Sequence, residues 1–129
     1  MRSKTITQCY APRRPHHAEV VMAQQPRPKT IRERFGDFSP KLVDLTEGVL
    51  FGDVWERPGL SKRDRSLITV AALVALNRTE QLRGHLGRAI DNGVKKDELV
   101  ELITHLAFYS GWPTAMSAVT VAHDVLAEK

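Results

Sequence analysis

Apolar residues recur at three- and four-residue spacings in five successive stretches of this chain, from Pro40 onward. That spacing places them on one face of an α-helix, whereas a half-buried strand needs strict alternation, which no stretch sustains. Glycines, prolines and capping residues separate the stretches. The sequence therefore predicts an all-α fold, with five main helices joined by short loops in a compact bundle.

The second predicted helix differs from the others because residues 67–76 are apolar on nearly all sides. A helix with that pattern is covered on several sides, which in so small a domain favours a subunit interface. Thr79 is the predicted cap of the third helix and Gly93 its stop. The five predicted helices span roughly 40–55, 61–76, 79–93, 95–111 and 112–126.

Residues 1–29 are predicted to be a disordered basic tail. They hold six basic residues, one acid and four of the seven prolines, with little sustained apolar periodicity. Such a segment cannot bury enough surface to offset the entropy of ordering it. Met22 is a second candidate start, so residues 1–21 are a candidate gene-start artefact. Residues 30–129 are expected to form a single domain around one core.

The charge of +4 belongs to this tail, because residues 30–129 hold 13 basic and 14 acidic residues. Without interleaved aromatics or a recognition motif, nucleic-acid binding is disfavoured. No apolar run reaches the length of a membrane span, and no secretory signal precedes the helices, so a cytoplasmic protein without a membrane partner is expected. The single cysteine, Cys9, offers neither an internal disulfide nor a Cys-x-x-Cys redox centre.

Three histidines fall within the predicted helices. His85 lies on the apolar stripe of the third helix, where the pattern alone fits a core histidine as well as a functional one. A helical ion pair or a surface contact explains His105, and the helix dipole explains His123. Their spacing matches no metal-binding motif, so no metal site is predicted.

Several motifs in order, over roughly residues 40–127, resemble the carboxymuconolactone decarboxylase family. The resemblance implies an all-helical subunit that self-associates into a ring-like homo-oligomer, a trimer or hexamer. The motifs are Trp55-Glu-Arg-Pro-Gly-Leu60, Arg63-Asp-Arg-Ser-Leu67, Leu82-Arg-Gly-His85, Asn92-Gly93-Val94 and Tyr109-Ser-Gly-Trp-Pro113.

The family has two chemical branches. The alkylhydroperoxidase-like branch uses a Cys-x-x-Cys pair before the histidine and an upstream glutamate. Here the cysteine positions fall on Arg78 and Gln81, and the glutamate position falls on Ser66. Without a thiolate there is no nucleophile to reduce a peroxide, so peroxidase activity is not expected. The decarboxylase branch keeps the histidine without the cysteines.

The resemblance implies decarboxylation of 4-carboxymuconolactone, a small anionic lactone, to 3-oxoadipate enol-lactone in protocatechuate degradation. No cofactor is needed, because the lactone itself accepts the electron pair. His85 is the implied proton donor.

An anionic substrate also needs a cationic anchor, for which Arg63, Arg65, Arg78 and Arg83 are candidates. Tyr109 and Trp112 are candidate pocket walls, although helix packing explains them equally well.

Two alternatives stay open at this point. One is an enzyme of the same superfamily that acts on a different small lactone or oxo-acid, because fold does not fix substrate. The other is a non-catalytic oligomer, a scaffold or small-ligand binding protein in which His85 is merely buried.

Overall fold

The computed structural model describes residues 29–127. Its six α-helices are α1 (Ile31–Phe35), α2 (Pro40–Asp44), α3 (Lys62–Ala75), α4 (Thr79–Asp91), α5 (Lys96–Ser110) and α6 (Trp112–Leu126). No strand occurs within this range, and the predicted all-α class is confirmed. The predicted tail lies outside the described residues, apart from Lys29.

Helices α3 to α6 share one core, in which α3 packs against α4 and α5, and α6 packs against the same two helices. Each buried leucine or valine contributes about 1.5–3 kcal/mol of transfer free energy. No helix within residues 29–127 combines the length and apolarity needed to cross a bilayer. The buried core residues are Val70, Val74, Leu82, Leu86, Ala89, Val94, Leu99, Ile103, Ala115, Ala118, Val121, Ala122 and Leu126.

Left-handed residues next to both ends of α4 set its length. Before it, Asn77 has φ 53° and the N–H of Arg78 donates to the carbonyl of Leu73. Asparagine tolerates this conformation, and the tight turn that it allows joins α3 directly to α4. Arg78 is therefore the N-cap residue and Thr79 the first helical residue. The predicted capping role of Thr79 was wrong.

The far end of α4 stops as predicted. Gly93 has φ 92°, a conformation that glycine adopts without steric cost. The N–H of Val94 donates to the carbonyl of Ala89, which closes a Schellman motif, and the Val94 side chain is buried beside it.

The first predicted helix is not a regular α-helix. It is α-helical only to Asp44, continues as a π-helix over Leu45–Phe51 (the π segment), and is followed by a 3₁₀ turn, Val54–Glu56. Gly48 and Gly52 weaken the α-helix here, since glycine is a poor helix former. A Cβ at Gly52 would lie 2.7 Å from the carbonyl oxygen of Gly48, so only glycine fits the end of this segment without a shift.

A short helix that the sequence analysis did not predict precedes this region. Thr30 caps α1 by accepting from the N–H of Glu33, whose carboxylate accepts in return from the N–H of Thr30. Arg32 then donates to Asp44 and Glu47, which joins α1 to α2 and the π segment. The Thr-x-x-Glu spacing is a capping-box signal that the sequence already contains.

Candidate active site

His85 lies at the edge of the buried stripe of α4. Leu82, Leu86 and Ala89 form that stripe and are each at most 1% exposed. His85 follows Leu82 by three residues and precedes Leu86, so its ring is half-buried between the core and the outer face of the helix. This placement agrees with the sequence pattern, and it gives the imidazole a partly desolvated setting.

Burial lowers the pKa of His85 below its ordinary value, and the positive charge of Arg88 lowers this pKa further. Both effects disfavour the imidazolium form. Because the folded state favours neutral His85, the unfolded chain takes up a proton first as the pH falls through about 6.5. The contribution of His85 to stability is therefore present above that pH and is lost as the pH falls further, towards the lowered pKa.

An open cavity of about 670 Å³ lies on the side of α4 away from the core stripe. Its volume falls within the roughly 300–1,000 Å³ of small-molecule sites. His85 itself does not line this cavity, but it is adjacent to Gly84 and one helical turn from Arg88, which do. The lining of this α4 cavity consists of Phe51, Trp55, Glu56, Lys62, Gly84, Gly87, Arg88, Asp91 and Asn92.

Two aromatic rings and one arginine form one wall of the α4 cavity. The ring centroids of Phe51 and Trp55 are 5.9 Å apart. The guanidinium carbon of Arg88 lies 4.1 Å from the Phe51 centroid and 5.7 Å from the Trp55 centroid. A cation over the face of a ring is attracted by the ring quadrupole, so the two rings support the guanidinium. The irregular backbone after α2 thus supplies the aromatic wall that faces α4.

Hydrogen bonds and an ion pair order the opposite rim. Lys62 Nζ lies 2.7 Å from a carboxylate oxygen of Glu56. Asn92 donates its amide to the hydroxyl of Ser66, which in turn donates to the carbonyl of Lys62. Ser66 is only 2% exposed, and its hydroxyl is satisfied on both sides. Its hydrogen bonds position Asn92 at the cavity wall.

The four arginines predicted as anchors do not line the α4 cavity. Arg63 is bound to Glu98, and Arg65 donates to a backbone carbonyl, that of Arg57, while its Nε is buried without a hydrogen-bond partner. Arg78 is exposed at the start of α4, and Arg83 lies 3.8 Å from a carboxylate oxygen of Asp124.

Tyr109 and Trp112 lie at the junction of α5 and α6 rather than at the α4 cavity. They are 77% and 63% exposed, respectively. Tyr109 contacts the ring of His105 at a centroid distance of 4.7 Å, and Trp112 meets Phe108 edge-on. Trp112 also lines a separate apolar groove of about 230 Å³ between α5 and α6.

Sequence reasoning missed Arg88, Lys62 and Phe51 as residues of the cavity. Arg88 follows His85 by three residues, which places it on the next turn of the same helix, and this spacing was a usable signal. Phe51 had no such signal, because its position depends on the π segment. Within residues 29–127, no three side chains of the metal-ligating types come together.

Comparisons with known proteins point to one family. The model of the carboxymuconolactone decarboxylase family matches residues 40–124, from α2 into α6, and so includes every residue that lines the α4 cavity. A 4-carboxymuconolactone decarboxylase from Acinetobacter baylyi is 43% identical over 93 residues, which cover 72% of this chain and 69% of that protein. A nitrosuccinic acid decarboxylase from Metarhizium robertsii is 36% identical over 76 residues, 59% of this chain and 53% of that protein.

The electrostatic effect of Arg88 on His85 can be measured by NMR titration. We expect the imidazole of His85 to titrate below about 6.5, and Arg88→Gln to raise its pKa because the repelling charge is gone. Arg34→Gln is the matched control, since Arg34 also lies over a ring, that of Phe35, but on α1. An unchanged pKa of His85 in Arg88→Gln would show that the two side chains do not interact.

Proposed function

Because this chain belongs to the carboxymuconolactone decarboxylase family, we propose that it decarboxylates a small lactone acid, with 4-carboxymuconolactone as the first candidate. The observation that carries the proposal is a half-buried histidine on the helix that lines a cavity of small-molecule size, in a chain 43% identical to a 4-carboxymuconolactone decarboxylase. Peroxide reduction is not part of the proposal, because Arg78 and Gln81 stand at the cysteine positions of that branch.

The reaction needs an electron sink and one proton. The bond to the departing carboxylate breaks, and its electron pair moves through the ring double bond onto the lactone carbonyl oxygen. The resulting oxyfuran anion takes a proton on a ring carbon, which restores the carbonyl and gives 3-oxoadipate enol-lactone. The protein has to hold the carboxylate, stabilise the oxyanion and deliver the proton.

His85 is the proposed proton donor. Burial and Arg88 lower its pKa, which favours the neutral form in the free protein. A bound dianion adds negative charge next to the ring, which favours the imidazolium form. Substrate binding therefore increases the share of the imidazolium form, which is the form that can donate a proton to the ring carbon.

The α4 cavity suits the departing carboxylate, because Phe51 and Trp55 give it an apolar wall. Such a wall removes water from one side of the carboxylate, and a carboxylate loses carbon dioxide more readily where it is less hydrated. Arg65, Arg78 and Arg83 remain candidates for substrate contact, although none lines this cavity in a single chain.

A different acid as substrate is the second candidate function. It is favoured by the similarity to nitrosuccinic acid decarboxylase, whose name indicates a substrate that is not a lactone. Sequence identity to that protein is lower and covers less of both chains, so the lactone acid is the first to test.

Turnover of 4-carboxymuconolactone, followed by ultraviolet absorbance, tests the proposed activity. We expect His85→Ala to lower kcat by about 10²-fold or more, since a lost general acid costs that much. His123→Gln is the control, because His123 is an exposed histidine on α6. Circular dichroism checks that each variant is folded.

A wild-type protein that turns over neither this lactone nor a panel of related lactones and nitro acids would contradict an enzymatic role. A His85→Ala variant with full activity would contradict the role of the histidine alone.

Self-association is the second part of the proposal, and we place its surface on α5 and α6. Exposed apolar residues of both helices line one apolar groove there, on what we call the α5–α6 face, and exposed apolar surface of this kind marks interaction sites. On α3, by contrast, Val70 and Val74 are buried within the chain and Ile68 is exposed. The exposed residues of the α5–α6 face are Phe108, Trp112, Met116 and Val119.

Sedimentation velocity distinguishes the two helical surfaces. We expect the wild type to sediment as a trimer or hexamer and Phe108→Glu to sediment as a smaller species, because a charge cannot be buried unpaired in an interface. Ile68→Glu places the same charge on the exposed side of α3 and should leave the oligomer intact. Dissociation by Ile68→Glu alone, or a monomeric wild type, would contradict this placement.

A further inference from the structure

Among residues 29–127, Arg88 is the basic residue of the α4 cavity that forms no ion pair with an acid. The other basic residue of the lining, Lys62, is paired with Glu56. Within residues 29–127, no carboxylate lies within ion-pair distance of Arg88, and its contacts are the rings of Phe51 and Trp55. The rings take up the face of the guanidinium but none of its N–H groups, which lie in the plane of the group.

Most other arginines near the core or the cavity are already engaged. Arg32 and Arg63 are bound to acids, and Arg65 donates to a carbonyl. An arginine whose orientation is fixed by aromatic contacts and whose donors remain available loses little rotamer freedom when a planar acid binds. These features distinguish Arg88 from a surface arginine that is held by nothing.

We propose that Arg88, supported by Phe51 and Trp55, is the residue that binds a carboxylate of the substrate in the α4 cavity. The ligand class is a small organic acid with an anionic group for Arg88 and a reacting carbon that reaches His85, one helical turn away. This assignment rests on the proposed function, because it takes the α4 cavity as the site of reaction.

The other charged residues that line the α4 cavity limit the class of ligand further. Glu56 and Asp91 are acids on the same cavity, so the formal charges of its lining are balanced. A general attraction of polyanions is therefore not expected. One directed contact at Arg88 has to supply the recognition, and the two parallel hydrogen bonds of an arginine–carboxylate pair give that contact its geometry.

A carboxylate on Arg88 also changes the environment of His85. The charge of Arg88 is one cause of the lowered pKa of His85, and a bound anion offsets it. Binding and proton supply are thus linked through one side chain. An acid that does not reach Arg88 would leave this cause of the lowered pKa of His85 in place.

Isothermal titration calorimetry with homocitrate γ-lactone tests the assignment. This compound is the saturated counterpart of 4-carboxymuconolactone, so it carries both carboxylates but lacks the double bond that the reaction requires. We expect Arg88→Gln to weaken binding roughly tenfold or more, as expected for loss of a charge-assisted hydrogen bond. Arg88→Lys keeps the positive charge but cannot donate two parallel hydrogen bonds from a planar group. Its affinity for the lactone should therefore fall between those of Arg88→Gln and the wild type.

Two further variants complete the design. Phe51→Leu removes the aromatic support and should weaken binding by a few-fold. Arg34→Gln is the matched control, an arginine over a ring outside the cavity, and should bind like the wild type. Circular dichroism and thermal unfolding establish that the variants are folded.

The outcomes separate this assignment from the proposed function. Wild-type binding that is unchanged in folded Arg88→Gln overturns the role of Arg88 and leaves the decarboxylase proposal standing. A wild type that neither binds the saturated lactone nor turns over the unsaturated one overturns both. Graded weakening from the wild type through Arg88→Lys to Arg88→Gln supports the assignment.

Discussion

The burial of one face of α4 is the constraint on which the rest of the site depends. Leu82 and Leu86 are fully withdrawn from solvent, and replacing either by alanine would cost about 2–5 kcal/mol. Because the rotation of a helix about its axis is common to all its residues, fixing these leucines also fixes His85 at the edge of the core and Arg88 on the outer side. Neither can move to another face unless buried leucine is exposed.

The outer side of α4 becomes a site because an irregular segment faces it. Gly52 permits a close approach to the carbonyl of Gly48 at the end of the π segment. The resulting path of the backbone determines where the rings of Phe51 and Trp55 lie. The rings of Phe51 and Trp55 pack against the guanidinium of Arg88. The α4 cavity therefore combines an apolar wall with one directed cation, a combination that suits an acid that has to lose its own carboxylate.

The sequence predicted the elements that local chemistry determines. The helical class, the stop at Gly93 and the end of α5 at Gly111 all follow from periodicity and capping. The π segment did not, because its apolar spacing fits an ordinary α-helix. The arginines predicted as anchors have other surroundings. Arg63 contacts Glu98, Arg65 contacts the carbonyl of Arg57, Arg78 is exposed to solvent and Arg83 lies near Asp124. Partners this distant in sequence cannot be predicted from spacing.

The most direct test of the account is a crystal structure of the protein with homocitrate γ-lactone bound. The account predicts the compound in the α4 cavity, with a carboxylate on Arg88 and the lactone ring within hydrogen-bonding reach of the His85 imidazole. A compound bound instead in the groove beside Trp112, or held in the α4 cavity with its ring remote from His85, would contradict the claim that this cavity is where decarboxylation occurs.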